Sequence, residues 1–145
     1  MFLQMLIGSG LLMISILVAG TSFWLMEIAI TRLDPWLRRS PHRPKLLFVL
    51  CAAATWILFQ VTIGVWVWAV AFLFLDIFQT LETAIYFALV AFTTLGFGDI
   101  LLPQEWRLLG GMAAMNGLLN IGLVTAVLVE TMRQIRQLQR EELPS

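Results

Sequence analysis

The sequence predicts an all-α membrane protein with three transmembrane helices and one re-entrant segment. Three observations carry that prediction. Of 145 residues, 60% are hydrophobic and only 12% charged, too few polar groups to cover a soluble domain of this size. Three runs without charge, 1–26, 46–75 and 108–129, each reach the roughly 20 residues that cross ~30 Å of hydrocarbon at 1.5 Å per residue. A fourth apolar stretch, 83–98, is too short to cross and ends in the polar, glycine-bearing sequence "TTLGFGDI", so it must enter the membrane and turn back.

The first helix is expected within 1–30. Its start, "MFLQMLIGSG", has no Lys or Arg ahead of the apolar core, so a retained helix is expected in preference to a cleaved signal peptide. Residues 31–45, "TRLDPWLRRSPHRPK", form a basic linker. Trp36 beside Pro35 and the arginines reads as an interfacial anchor or as a linker transmitting force between helices. His42 reads as a solvated loop residue or a pH sensor.

A larger unit, 46–132, follows: an outer helix, a short helix at 80–92, the "TTLGFGD" segment at 93–99 and an inner helix at 104–132. A tail, 133–145, closes the chain. The uncharged run 46–75 is longer than the bilayer needs, so this helix should tilt or project. Cys51 within it reads as a buried small hydrophobe, and a single cysteine excludes an intrachain disulfide.

Eight of the nine basic residues fall in the linker and the tail; Arg107 is the exception. The positive-inside rule makes that side cytoplasmic. The protein is therefore expected in the cell membrane as a multi-pass protein, with its N-terminus outside, its C-terminus cytoplasmic and "TTLGFGDI" facing outward. Zero formal net charge argues against nucleic acid as a partner.

Irregular backbone at membrane depth is tolerated only where protein or a water-filled cavity satisfies its polar groups. In 80–92, Thr80 is a plausible N-cap and Glu82 suits the positive end of the helix dipole. The C-terminal end then points toward the bilayer middle, where its partial negative charge favours a cation. After it, Gly96 and Gly98 can take positive φ without steric cost, so alternate residues can turn successive carbonyls to one side. With the Thr94 hydroxyl below them, such oxygens can replace the hydration shell of an alkali cation.

"TTLGFGD" resembles the potassium-channel selectivity filter, commonly T-V-G-Y-G-D, and the order helix, short helix, filter, helix resembles that family's pore domain over roughly Lys45 to Arg136. The resemblance implies that Thr94, Leu95, Gly96 and Phe97 coordinate K+ through backbone carbonyls, with the Thr94 hydroxyl closing the innermost site. Leu95 and Phe97 side chains would then pack against the short helix. Thr93, Gly98, Asp99 and Tyr86 would support the filter, Tyr86 hydrogen-bonding Asp99 from behind, although it can equally serve as a packing aromatic. Phe97 lacks the hydroxyl of a tyrosine and Leu95 replaces a β-branched residue; neither alters the carbonyl file. The resemblance also implies a homotetrameric pore with K+ as permeant ion and no cofactor, its partners being K+, the bilayer and three further copies.

In the inner helix, Asn116 and Asn120 are four apart on one face, expected to line a cavity, with interhelical hydrogen bonding as the competing explanation. Gly117 is the nearest match to a hinge glycine, and Gly122 the next. Val124, Val127 and Leu128 are expected to narrow the cytoplasmic mouth, with Glu130 forming an acidic ring or pairing with Arg133. The first helix lacks the repeated arginines of a voltage sensor. No metal-ligand cluster, Ser or Cys beside a His, or phosphate loop suggests an enzyme. A potassium-selective channel is the leading expectation; a weakly selective cation channel and a non-conducting adaptor subunit are the alternatives.

Overall fold

The computed structural model describes residues 2–37 and 42–141, and all regular structure there is helical: α1 (Phe2–Leu37), α2 (His42–Phe74), α3 (Leu81–Phe92), a 3-10 turn (Gln104–Trp106) and α4 (Arg107–Glu141). Three stretches, Phe2–Ala29, Cys51–Phe74 and Gln104–Glu130, are long and apolar enough to cross a membrane. With 12 residues, α3 is not; it spans about 18 Å. The protein is a multi-pass, all-α membrane protein.

Three helices run further than the sequence boundaries suggested. The first is helical past 30 as far as Leu37, α2 starts at His42 ahead of the expected 46, which places His42 at a helix start instead of in a loop, and α4 continues past 132 to Glu141. Met, Gln, Arg and Leu dominate "TMRQIRQLQRE", all strong helix formers with no Gly or Pro, so nothing stops α4 at the end of its apolar run. Arg38 and Arg39 lie outside the described residues, as do the side chains of Trp36, His42, Arg43, Lys45, Arg136 and Arg140.

α2 stops where Asp76 takes φ 53°. There the Ile77 N–H donates to the Phe72 carbonyl at 3.0 Å and the Asp76 N–H to the Leu73 carbonyl at 2.9 Å, a left-handed cap that satisfies two orphan carbonyls. The Asp76 carboxylate also accepts from Gln79 Nε2 at 3.1 Å, fixing the turn into α3.

α3 is wedged between α2 and α4, and α1 lies against α4 and, less extensively, α2. Where these helices meet, Trp68, Phe72 and Phe92 are fully buried. Phe72 meets Phe78 and Phe87 edge-on, with ring centroids 5.9 and 5.4 Å apart. Lipid is as apolar as these side chains, so their cohesion comes from close packing and hydrogen bonds instead of expelled water. Cys51 is exposed on the outer face of α2, correcting its expected burial: that helix is apolar all round, so sequence does not say which side faces lipid.

α1 and α4 run parallel. Gln4 Nε2 donates to the Glu105 carbonyl, and Asn116 Nδ2 donates to Ser15 Oγ; both pairs are separated by 101 positions, so one register holds over three turns. The start of α1 and the start of α4 therefore lie at the same end of the bundle.

Candidate functional site

The site begins with α3, whose start is fixed by Thr80. This residue is extended, with φ −125° and ψ 144°. Its hydroxyl accepts from the Thr83 N–H at 3.3 Å. Glu82 occupies the first turn, where negative charge complements the dipole.

The opposite end of α3 shapes the backbone that follows. The Thr93 N–H donates to the Leu89 carbonyl at 3.0 Å, Thr94 N–H to Ala91 at 2.9 Å, Leu95 N–H to Val90 at 3.0 Å and Gly96 N–H to Val90 at 3.4 Å. In a planar trans peptide the N–H and the preceding C=O point in opposite directions. Since the amides of Thr94, Leu95 and Gly96 all turn back to α3, the carbonyls of Thr93, Thr94 and Leu95 turn away from it. Oxygens on one side follow directly from that tether.

Positive φ recurs at every second residue: 59° at Thr94, 56° at Gly96 and 77° at Gly98. Gly96 and Gly98 do what their lack of Cβ allows. Thr94 does so against its own sterics, a strain of about 1–2 kcal/mol that sequence gave no sign of. Thr93 and Thr94 part company in their hydroxyls. Thr93 Oγ1 donates back to the Leu89 carbonyl at 2.8 Å, whereas the Thr94 hydroxyl takes no hydrogen-bond partner among the described residues.

Within this chain the Leu95 and Phe97 side chains are 60% and 66% exposed, whereas the resemblance implies that they pack against the short helix. The backbone tether occupies the end of α3, and within this chain both side chains stay largely exposed. Behind the segment is an open crevice of about 290 Å³ between α3 and α4, lined by Phe87, Val90, Gly96, Gly98, Gly110 and Ala114 among others.

Tyr86 and Asp99 are brought together. The phenol donates to Asp99 Oδ2 at 2.6 Å, joining the middle of α3 to the outer end of the segment. That bond, with help from the Asp99 and Ile100 amides, holds the Asp99 carboxyl below its ordinary value against a smaller opposing effect of desolvation. A depressed carboxylate keeps its bond above its ordinary pKa and loses it as pH falls through the lowered one. Tyr86→Phe is therefore expected to move Asp99 titration upward and to bring acid-induced loss of function to higher pH; NMR titration of the Asp99 carboxyl checks it.

The inner-helix residues divide. Asn116 and Asn120 are buried, 0% and 4% exposed, and face α1. Asn116 Nδ2 donates to Ser15 Oγ at 2.9 Å, and Asn120 Nδ2 donates to the Asn116 carbonyl and to Oδ1 at 2.9 and 3.0 Å. Their expected cavity face is corrected to interhelical hydrogen bonding, because an extra helix supplies the buried partner that a water-filled cavity was expected to provide. Val124 lies on the same buried stripe, so it too turns into the bundle, whereas Val127 is half-buried. Gly117 is a point of close approach: a Cβ there would sit 1.8 Å from the Phe92 carbonyl oxygen. Gly122 is exposed with open space around it. Glu130 lies 4.0 Å from Arg133, the pairing weighed against an acidic ring.

Sequence reasoning missed Ser15 and Gln60, both buried and polar within apolar helices. A polar side chain inside a membrane span was the available signal, since such groups are costly unless they face the bundle interior. No group of three His, Cys, Asp or Glu among the described residues is placed to hold a metal ion.

The sequence model of a family described as ion channel matches residues 46–134, the stretch that holds most of α2, α3, the irregular segment and most of α4. No curated protein and no solved structure matches the chain.

Proposed function

Since the chain belongs to the ion channel family, whose members pass ions through a membrane passively, we propose that it is a potassium-selective channel. The observation that carries this reading is the tether of the Thr94, Leu95 and Gly96 amides to α3, which leaves the carbonyls of Thr93, Thr94 and Leu95 on the opposite side. Four such backbones around an axis would surround a dehydrated cation with oxygens, K+ being held at Thr94, Leu95, Gly96 and Phe97. The Thr94 hydroxyl closes the innermost site, while Thr93, Gly98, Asp99 and Tyr86 hold the backbone in place.

One irregular segment per chain cannot enclose an axis, so several copies build the pore, and the resemblance of "TTLGFGD" to the potassium-channel filter implies four. The exposure of Leu95 and Phe97 supports that assembly, because neighbouring copies would cover them. Cytoplasmic placement of the basic linker and tail puts the start of α1 and the mouth of the pore outside. The lining of the cavity falls to the exposed face of α4, which includes Met115, Leu119 and Thr125.

Reconstitution tests the proposal. Vesicles loaded with potassium and containing the purified protein are expected to discharge when a protonophore supplies countercharge, and sodium-loaded vesicles to remain charged. Equal discharge of both ions would support a weakly selective cation channel, the reading favoured by the missing hydroxyl at Phe97.

A further inference from the structure

We infer that Ser15, on the helix outside the family match, is a positioning residue for the filter: it anchors the turn of α4 that abuts the last carbonyl of α3. This inference rests on the conduction reading above.

The anchoring is a directed relay. Asn120 Nδ2 donates to Asn116 Oδ1 at 3.0 Å, which fixes the orientation of the Asn116 amide and aims its Nδ2 at Ser15 Oγ, 2.9 Å away. All three side chains are buried, Ser15 at 3%, Asn116 at 0% and Asn120 at 4% exposure, where no lipid headgroup or bulk water replaces a lost partner. The residue next to Asn116 is Gly117, whose Cα faces the Phe92 backbone so closely that no side chain fits between them. Phe92 is the last residue of α3, and the amides of Thr93 to Gly96 hang from the carbonyls just before it.

Ser15 therefore connects through two contacts to the filter base. The hydrogen bond sets the rotation and depth of one α4 turn, and the glycine contact passes that position to the end of α3. The parallel register of α1 and α4, also pinned at Gln4 and Glu105, makes α1 a fixed reference for it. Ser15 lies on α1, outside the residues 46–134 that match the family, so the contact comes from a helix that the match does not include.

Substituting Ser15 with Ala leaves the Asn116 N–H buried without its acceptor. Interhelical hydrogen bonds in membranes are weak enough that the tetramer is expected to assemble, and strong enough to shift a conformational balance about three- to tenfold. Single-channel recordings in planar bilayers provide the test. Ser15→Ala is expected to shorten open bursts about three- to tenfold with conductance of each channel unchanged. Ser15→Cys, nearly isosteric with a weaker acceptor, is expected to shorten them less, and Ser9→Ala, on the exposed side of α1, is expected to leave them as they are. A merely structural role lowers the number of channels without changing burst duration. Normal wild-type bursts together with unchanged Ser15→Ala and Ser15→Cys bursts overturn this inference alone, while a wild-type protein that carries no potassium current overturns the conduction reading and the inference with it.

Discussion

Gly117→Ala is expected to reduce potassium current at least tenfold, by displacing the base of the filter or by preventing assembly. The added Cβ would meet the Phe92 carbonyl oxygen at 1.8 Å, its carbon at 2.5 Å and Cα at 2.8 Å. These are backbone atoms at the end of a helix packed on both sides, so no rotamer change relieves the collision; α4 or α3 must move bodily. Overpacking of flexible core sites costs about 1–3 kcal/mol, and a backbone collision lies at or beyond the top of that range. Phe92 is two residues from Thr94, so the displacement reaches the carbonyl file directly. Gly10→Ala is the matched control: nothing lies within 4 Å of its Cβ, and Ala favours a helix over Gly by about 1 kcal/mol. Current per mass of reconstituted protein, with the assembled fraction read separately by size-exclusion chromatography, checks both variants.

The second large effect is expected at Gly96, for a different reason. A Cβ there meets nothing within 4 Å, but the residue holds φ +56°. An L-side chain in that conformation costs about 1–2 kcal/mol, and Thr94 two residues earlier already carries such strain. Rotation to negative φ relieves Gly96→Ala while turning a neighbouring peptide plane, loosening the 3.4 Å bond from its N–H to the Val90 carbonyl. One oxygen then leaves the file. The expected result is a channel that still assembles and conducts but discriminates K+ from Na+ about tenfold less well, as read from relative permeability. Loss lies in function here and in packing at Gly117, so the two variants separate the roles of two glycines, one in the irregular segment and one in α4, that look alike in composition.

How much of this was legible in the sequence depends on how local the determining physics is. Thr80 capping α3, the positive φ at Gly96 and Gly98, and the three spans all follow from residues within a few positions of one another. The orientation of the apolar helices does not. α1 and α2 are hydrophobic on every side, so periodicity says little about which face meets protein and which meets lipid; the exposure of Cys51 and the burial of Ser15 are therefore not legible in it. Asn116 and Asn120 were correctly put on one face of α4, but two very different environments accept an amide, and only the tertiary position of α1 decides between them. Exposure of Leu95 and Phe97 has the same origin, since their covering surface belongs to another copy in the proposed assembly. Only the family resemblance pairs Tyr86 with Asp99, because nothing local links two residues thirteen apart across a re-entrant turn.

On the proposed reading, a file of backbone carbonyls at Thr94 to Phe97 selects potassium. Its most direct test is the reversal potential of purified wild-type protein in a planar bilayer with potassium on one side and sodium on the other. A strongly displaced reversal, in the direction set by potassium and surviving exchange of the anion, is the expected result. A reversal near zero, with currents of similar size carried by both cations, would contradict it.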